Sequence, residues 1–287
     1  MITTFRIFEK LGRIESVENI TDIVWEEYKK SSVDKDFVMY DLESKDFKIK
    51  KLTIKHYYDP EVKTFATFTY ESHIDKKGNY YVVITMNTDH KKDKTTLHHE
   101  LIHAYEFLKV GADMFWSHNK DLEYFARMSI PGETETDKFL DKFLDIMYYI
   151  NLSEIIAYFN QDIKNFMEKR SRFKNVDAMI KNSFTYNRYE NIKEFDIEEI
   201  RTFNKELVAS FIEVYYEIRK DKLGPKNKLE EFKRWFLDKL SIDYGQKIKV
   251  TDNEIDNFIK KFKEEIEFKK RVYLKYIGRL RTILAED

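Results

Sequence analysis

The residues with the most chemical potential lie between Thr95 and Leu108. His99-Glu100-Leu101-Ile102-His103 is an H-E-x-x-H pattern. On a helix, positions four apart sit one turn above each other, with Cβ atoms about 5–6 Å apart. Two imidazoles at that spacing can share one Zn²⁺ at about 2.0–2.1 Å each. Glu100 follows the first histidine, which aims its carboxylate beside the metal and not onto it. A general base belongs there, to take a proton from metal-bound water. His98 lies about 100° around the helix from His99 and is expected to point away. The plain alternative is a helix that carries two histidines without using them. Burying two His and one Glu without partners would cost several kcal/mol, which argues against it.

A catalytic zinc takes a third protein ligand and leaves a fourth position for water. Three residues qualify. Glu154 lies in Asn151-Leu152-Ser153-Glu154-Ile155-Ile156-Ala157-Tyr158, where the small Ala157 one turn on would let two helices approach closely. The same Glu could instead pair with Asn151 as a helix cap. Glu123 lies before Ala126, and His118 follows Trp116-Ser117. His56, His73 and His90 are scattered through a strand-like region and are expected at the surface. An oxyanion formed in the reaction needs a further donor; Tyr158, Tyr148 and His118 are the candidates.

The elements that must place these groups can be read from periodicity. Residues 17–31 carry Val17, Ile20, Ile23, Val24 and Tyr28 at helical spacing. From about 36 to 87 the period drops to two, with β-branched and aromatic runs separated by Asp59-Pro60 and by Lys76-Lys77-Gly78-Asn79. Three to five short strands are expected, mixed or antiparallel. Strand 80–86 precedes the H-E-x-x-H helix and is a candidate sheet edge where an extended peptide could pair. After residue 93 nearly everything reads as helix: about 94–110, 119–128, 134–150, 151–170, 175–183, 196–221, 226–241 and 252–285. Thr251-Asp252-Asn253-Glu254 is a capping box. The apolar stripe behind it, from Ile255 to Leu284, is expected in a core. The locally basic stretch 164–188 is expected to be solvated surface. The fold class expected is α+β: a small mixed or antiparallel sheet with the H-E-x-x-H helix, then a mostly α-helical C-terminal half. The corresponding division is 1–170 and 171–287.

Composition narrows the functions. Lys and Arg number 51 against 52 Asp and Glu, a net charge of −1, so no nucleic-acid partner is expected. There is no cysteine, which excludes disulfides, thiolate metal sites and thiol catalysis. No stretch approaches the roughly 18 apolar residues of a membrane helix, and no secretory signal is visible. A cytoplasmic location is expected.

Leu97 to Leu108 resembles the active-site helix of zincin metallopeptidases. Together with Glu154 in Ser153-Glu154-Ile155-Ile156-Ala157-Tyr158, the chain is similar to gluzincins, in which a Glu on a later helix is the third ligand. The motif is similar to those of small intracellular and phage-encoded zinc peptidases, over about residues 80–160. The resemblance implies that His99, His103 and Glu154 bind one Zn²⁺ and that Glu100 is base and then acid. The substrate implied is a protein or peptide. Glu106 and Lys109 stand where H-E-x-x-H-x-x-G-x-x-H would need Gly and His, which separates the chain from metzincins. The alternative expectation is a structural or packaged protein of a phage virion, without catalysis, with other virion proteins as partners. It rests on Met1 to Glu9, which looks like a short capsid-targeting leader.

Overall fold

The computed structural model describes residues 14–60, 65–69, 71–89, 91–111, 115, 134–205, 207–209, 211, 212, 215 and 250–286. The leader-like segment, His90, His118, Glu123 and the helices expected at 119–128 and 226–241 lie outside the described residues. The chain is α+β. In order, the elements are α1 (Glu15–Tyr28), β1 (Phe37–Ser44), β2 (Phe47–Tyr57), β3 (Ala66–Phe68), β4 (His73–Ile74), β5 (Tyr80–Asn87), α2 (Lys94–Val110), α3 (Glu135–Tyr149), α4 (Leu152–Lys169), α5 (Val176–Lys181), α6 (Phe184–Glu194) and α7 (Asp252–Glu286). Among the described residues no helix is long and apolar enough to cross a membrane.

The chain forms two compact units, each gathering separate stretches of sequence. One comprises residues 1–120, 151–188 and 273–287; the other comprises 121–150 and 189–272. The first unit holds the sheet, in the order β1-β2-β5-β3, with β4 also on β5. β2 and β5 run parallel, with Leu52 opposite Val82 and Ile54 opposite Ile84. β1 pairs antiparallel with β2, and β3 antiparallel with β5. Strand β5 is therefore internal and not the edge expected for substrate pairing; β3 takes the edge position on that side. Long parallel pairing with β2 leaves β5 no free side over most of its length. The Asp75 carboxylate accepts from the backbone of Lys77 and Asn79, and Gly78 turns the chain at φ 79° between β4 and β5.

Alternation along β5 sends Tyr80, Val82, Ile84 and Met86 inward. Helix α2 packs on that face: the Tyr80 ring stacks on Phe107 at 5.5 Å, and Phe47 meets Tyr105 edge-on at 5.4 Å. The Tyr80 hydroxyl donates to the Ala104 carbonyl. Asp93 starts α2 by accepting from the Thr96 N–H at 2.8 Å. Gly111, at φ 84°, ends it. Nearly every residue from Thr95 to Phe107 is buried, so α2 is a central helix and its polar residues must find partners inside.

The second unit has an aromatic core. Phe143 packs on Phe211 at 4.3 Å and on Phe262 at 5.4 Å, and Phe258 meets Tyr215 at 5.1 Å. The stripe on α7 is buried throughout, from Ile255 to Leu284, with its residues up to Val272 in this unit and those from Tyr273 in the first. Its capping box forms as expected, with Thr251 and Glu254 exchanging side-chain and backbone bonds.

Three local expectations are corrected. Helix α6 was not among the helices expected, since it has no clear apolar period; its start is built by Asp162 of α4, which accepts from the Phe184 and Thr185 N–H groups at 2.8 Å each. Lys164 is buried, not solvated, because its ammonium reaches Asp22 on α1 at 2.6 Å. His56 is half-buried, stacked on Tyr28 at 5.8 Å with Nε2 at 3.1 Å from the tyrosine hydroxyl.

Candidate metal centre

Helix α2 supplies His99, Glu100 and His103, and α4, packed along it, supplies Glu154. The four-residue step brings the two histidine Nε2 atoms to 3.2 Å from each other. Glu154 Oε2 lies 3.3 Å from His99 Nε2, and Glu154 Oε1 lies 3.2 Å from His103 Nε2. One ligand atom from each residue falls within 4.8 Å of the others, so the trio could hold a metal ion. Ala157, fully buried one turn after Glu154, presents little bulk between the helices. Asn151 caps α4 by accepting from the Ser153 N–H at 2.7 Å. Glu154 therefore serves the histidines and not the helix end.

The far sides of both rings are also engaged. His99 Nδ1 lies 3.1 Å from Gln161 Oε1, and His103 Nδ1 lies 2.9 Å from Ser153 Oγ. An amide oxygen can only accept, so His99 Nδ1 carries a proton, and a neutral His99 turns the Nε2 lone pair inward. The same arrangement at His103 would aim two imidazole lone pairs and a carboxylate at one point. Three such groups repel unless a cation or a proton sits among them. Glu154 Oε2 is buried, and with His99 neutral it accepts no hydrogen bond, an expensive state that a cation would relieve. Two neutral imidazoles and one carboxylate form a donor set suited to a divalent transition metal. The residues present therefore fit a metal.

Without a cation the electrostatics are those of a buried ion pair. Burial alone would raise Glu154, but His103 and His99 hold its carboxyl well below the usual range. Burial alone would lower His103, but the Glu154 and Glu106 carboxylates hold it well above an ordinary histidine. Burial raises Glu100, opposed by the two histidines. Phe68 of β3 donates its backbone N–H to Glu100 Oε2 at 2.6 Å, fixing the carboxylate next to the cluster. Tyr158, one turn beyond Glu154, lays its ring 4.6 Å from the His99 ring. Tyr148 belongs to the other unit.

The structure thus brings together His99, His103 and Glu154 with Glu100 alongside. His98 points away, as expected, with Nδ1 at 2.9 Å from Thr21 Oγ1 on α1. Sequence reasoning passed over Ser153, Gln161, Glu106 and the Phe68 N–H. Gln161 is seven residues from Glu154 and Glu106 seven from His99, so helical spacing could have flagged both. Nothing in the sequence pointed to Phe68. Comparisons of the chain with models of known protein families, with curated proteins and with solved structures find no match.

Proposed function

We propose that the chain is a zinc-dependent metallopeptidase of the gluzincin type, with His99, His103 and Glu154 as ligands and Glu100 as general base. The observation that carries this reading is the convergence of those three side chains to 3.2–3.3 Å beside a carboxylate anchored for another task. Zinc is favoured by the pairing of an N/N/O donor set with an adjacent base. The same donor types also serve ferrous iron, so metal analysis is part of the test.

A zinc ion bound there supplies Lewis acidity for a substrate carbonyl and for water. The protein's residues do the remainder. Glu100 Oε2 accepts from the Phe68 N–H, which leaves Oε1 to take a proton from the attacking water. Burial pushes this carboxyl up, towards the range in which one group can accept a proton and then return it to the leaving amine. The Tyr158 hydroxyl is the donor proposed for the oxyanion, because its ring already lies against His99. Strand β3 borders Glu100 and, among the described residues, pairs with β5 on one side only, which makes it the edge proposed for an extended peptide.

Purified protein should carry about one zinc per chain by plasma mass spectrometry and cleave an unfolded protein such as casein. Glu100→Gln should keep the metal and lose cleavage, since the base contributes about 10²–10⁴-fold or more. His99→Ala and His103→Ala should lose both. Protein that takes up no metal at neutral pH refutes the reading, and iron in place of zinc redirects it to oxidative chemistry.

A further inference from the structure

We propose that Glu106, acting through Ser153, is a positioning residue that sets the hydrogen-bond direction at His103 and so makes its Nε2 a metal donor. The inference rests on the metal reading above and adds a residue that reading does not need. Glu106 is fully buried on α2, three residues after His103 and one turn further along the same face. Ser153, on the first turn of α4, bridges the two. Its Oγ lies 2.9 Å from His103 Nδ1 and donates to Glu106 Oε2. Glu106 Oε2 is itself 3.4 Å from Nδ1. Glu106 Oε1 is buried with no hydrogen-bond partner. Leaving a carboxylate in that state costs the fold stability, so packing alone does not account for it.

The chain His103–Ser153–Glu106 can be wired in two directions. A hydroxyl has one proton, so Ser153 donates either to Glu106 or to His103. When Glu106 is the acceptor, Ser153 gives its proton to the carboxylate and takes a bond from His103 Nδ1–H. The lone pair of Nε2 then faces Glu154 and His99, where a cation can be held. In the reverse direction Ser153 donates to Nδ1, the ring proton moves to Nε2, and that proton occupies the ligand position. Only the first wiring makes His103 a ligand, and the bond that Ser153 Oγ donates to Glu106 Oε2 is the one that sets it. His99 needs no such device: Gln161 Oε1 already accepts from its Nδ1. Outer partners of this kind orient the ring and raise its basicity.

The test uses the full chain and Zn²⁺ alone, in competition with a chromophoric chelator. Glu106→Gln can donate its amide to Ser153 and so favours the wrong wiring. Its zinc affinity should fall about 10- to 100-fold, with Ser153→Ala at the lower end, about tenfold. Glu106→Asp restores the acceptor and should recover part of the loss. Histidine ¹⁵N shifts read the wiring directly: zinc-bound wild type should show His103 protonated on Nδ1, and Glu106→Gln should shift the proton towards Nε2. Circular dichroism of the metal-free variants checks folding, and Ser153→Ala keeps the test open if Glu106→Gln does not fold. Zinc affinity within twofold of wild type in Glu106→Gln, or in Ser153→Ala if that variant stands in, overturns the proposal while leaving the metal reading intact. Equal losses in Glu106→Gln and Glu106→Asp, with the ¹⁵N pattern unchanged, also overturn it, since packing alone would then be the cause. Wild-type protein that takes no zinc removes both.

Discussion

Replacing Glu154 by Gln keeps the side-chain shape and removes the one charged ligand of the trio, which makes it the sharpest perturbation of the site. With zinc at about one hundred times its dissociation constant, wild-type protein should gain about 2.7 kcal/mol of stability. For a body of 150–250 residues that corresponds to a rise of about 5–11 °C in Tm. Glu154→Gln offers a neutral amide where the wild type offers a carboxylate 3.2 and 3.3 Å from the two imidazoles. Its zinc-induced rise should fall to a small fraction of that. The same variant tests the metal-free pair. Glu154 is depressed, so its contribution is present above its ordinary value of 4.5 and is lost as pH falls further. His103 is raised, so its contribution is complete below 6.5 and is lost as pH rises through its folded value. In chelator the deficit of Glu154→Gln should therefore be largest between pH 4.5 and 6.5 and shrink at alkaline pH. Its ceiling is the 3–5 kcal/mol typical of breaking a buried pair, roughly; His103 can lower it by shedding its proton. Scanning calorimetry with and without zinc, at three pH values, measures both effects. An undiminished zinc shift in the variant would show that Glu154 is not a ligand, and a deficit that grows with pH would show that it is not the counter-charge of His103.

Three further outcomes follow from buried polar groups around the site. Burial pushes the His98 imidazole down to about 3, so its contribution is present above 6.5 and is lost as pH falls towards 3. The chelator-treated wild type should lose at most about 5 kcal/mol over that window, and His98→Gln should flatten the profile in urea titrations. Asp162→Ala strips the start of α6 of an acceptor for two backbone N–H groups and the Thr185 hydroxyl. It should cost about 2–4 kcal/mol in urea unfolding, and a loss under about 0.5 kcal/mol would contradict the capping role. Lys164→Met keeps the buried stem and removes an ammonium that shares Asp22 with Lys94. Because Asp22 is half-exposed and keeps a second partner, the loss should be about 1–2 kcal/mol and should shrink in high salt.

Much of this molecule was legible along the chain. Helix α2 was expected at 94–110 and spans Lys94–Val110; its bounds are local, with Asp93 capping its start and Gly111 its end. The capping box at Thr251 and the buried stripe on α7 were legible because the bonds of the one and the spacing of the other repeat within three or four residues. Helix α6 was not, since its first turn is held by Asp162, more than twenty residues upstream. Strand β5 was misplaced as an edge because periodicity reveals which face is buried and says nothing about which strands lie on either side.

The candidate centre divides along the same line. The pairing of His99 with His103, and the position of Glu100 beside them, follow from 3.6 residues per turn and are properties of one helix. That Glu154 closes the trio, that Phe68 anchors Glu100 and that Ser153 links His103 to Glu106 depended on the packing of α4 and β3 against α2. Those contacts join residues some thirty to sixty positions apart. Local geometry sets where a side chain leaves its own helix; only the packed interior, which tolerates few unpaired polar groups, sets what it meets there.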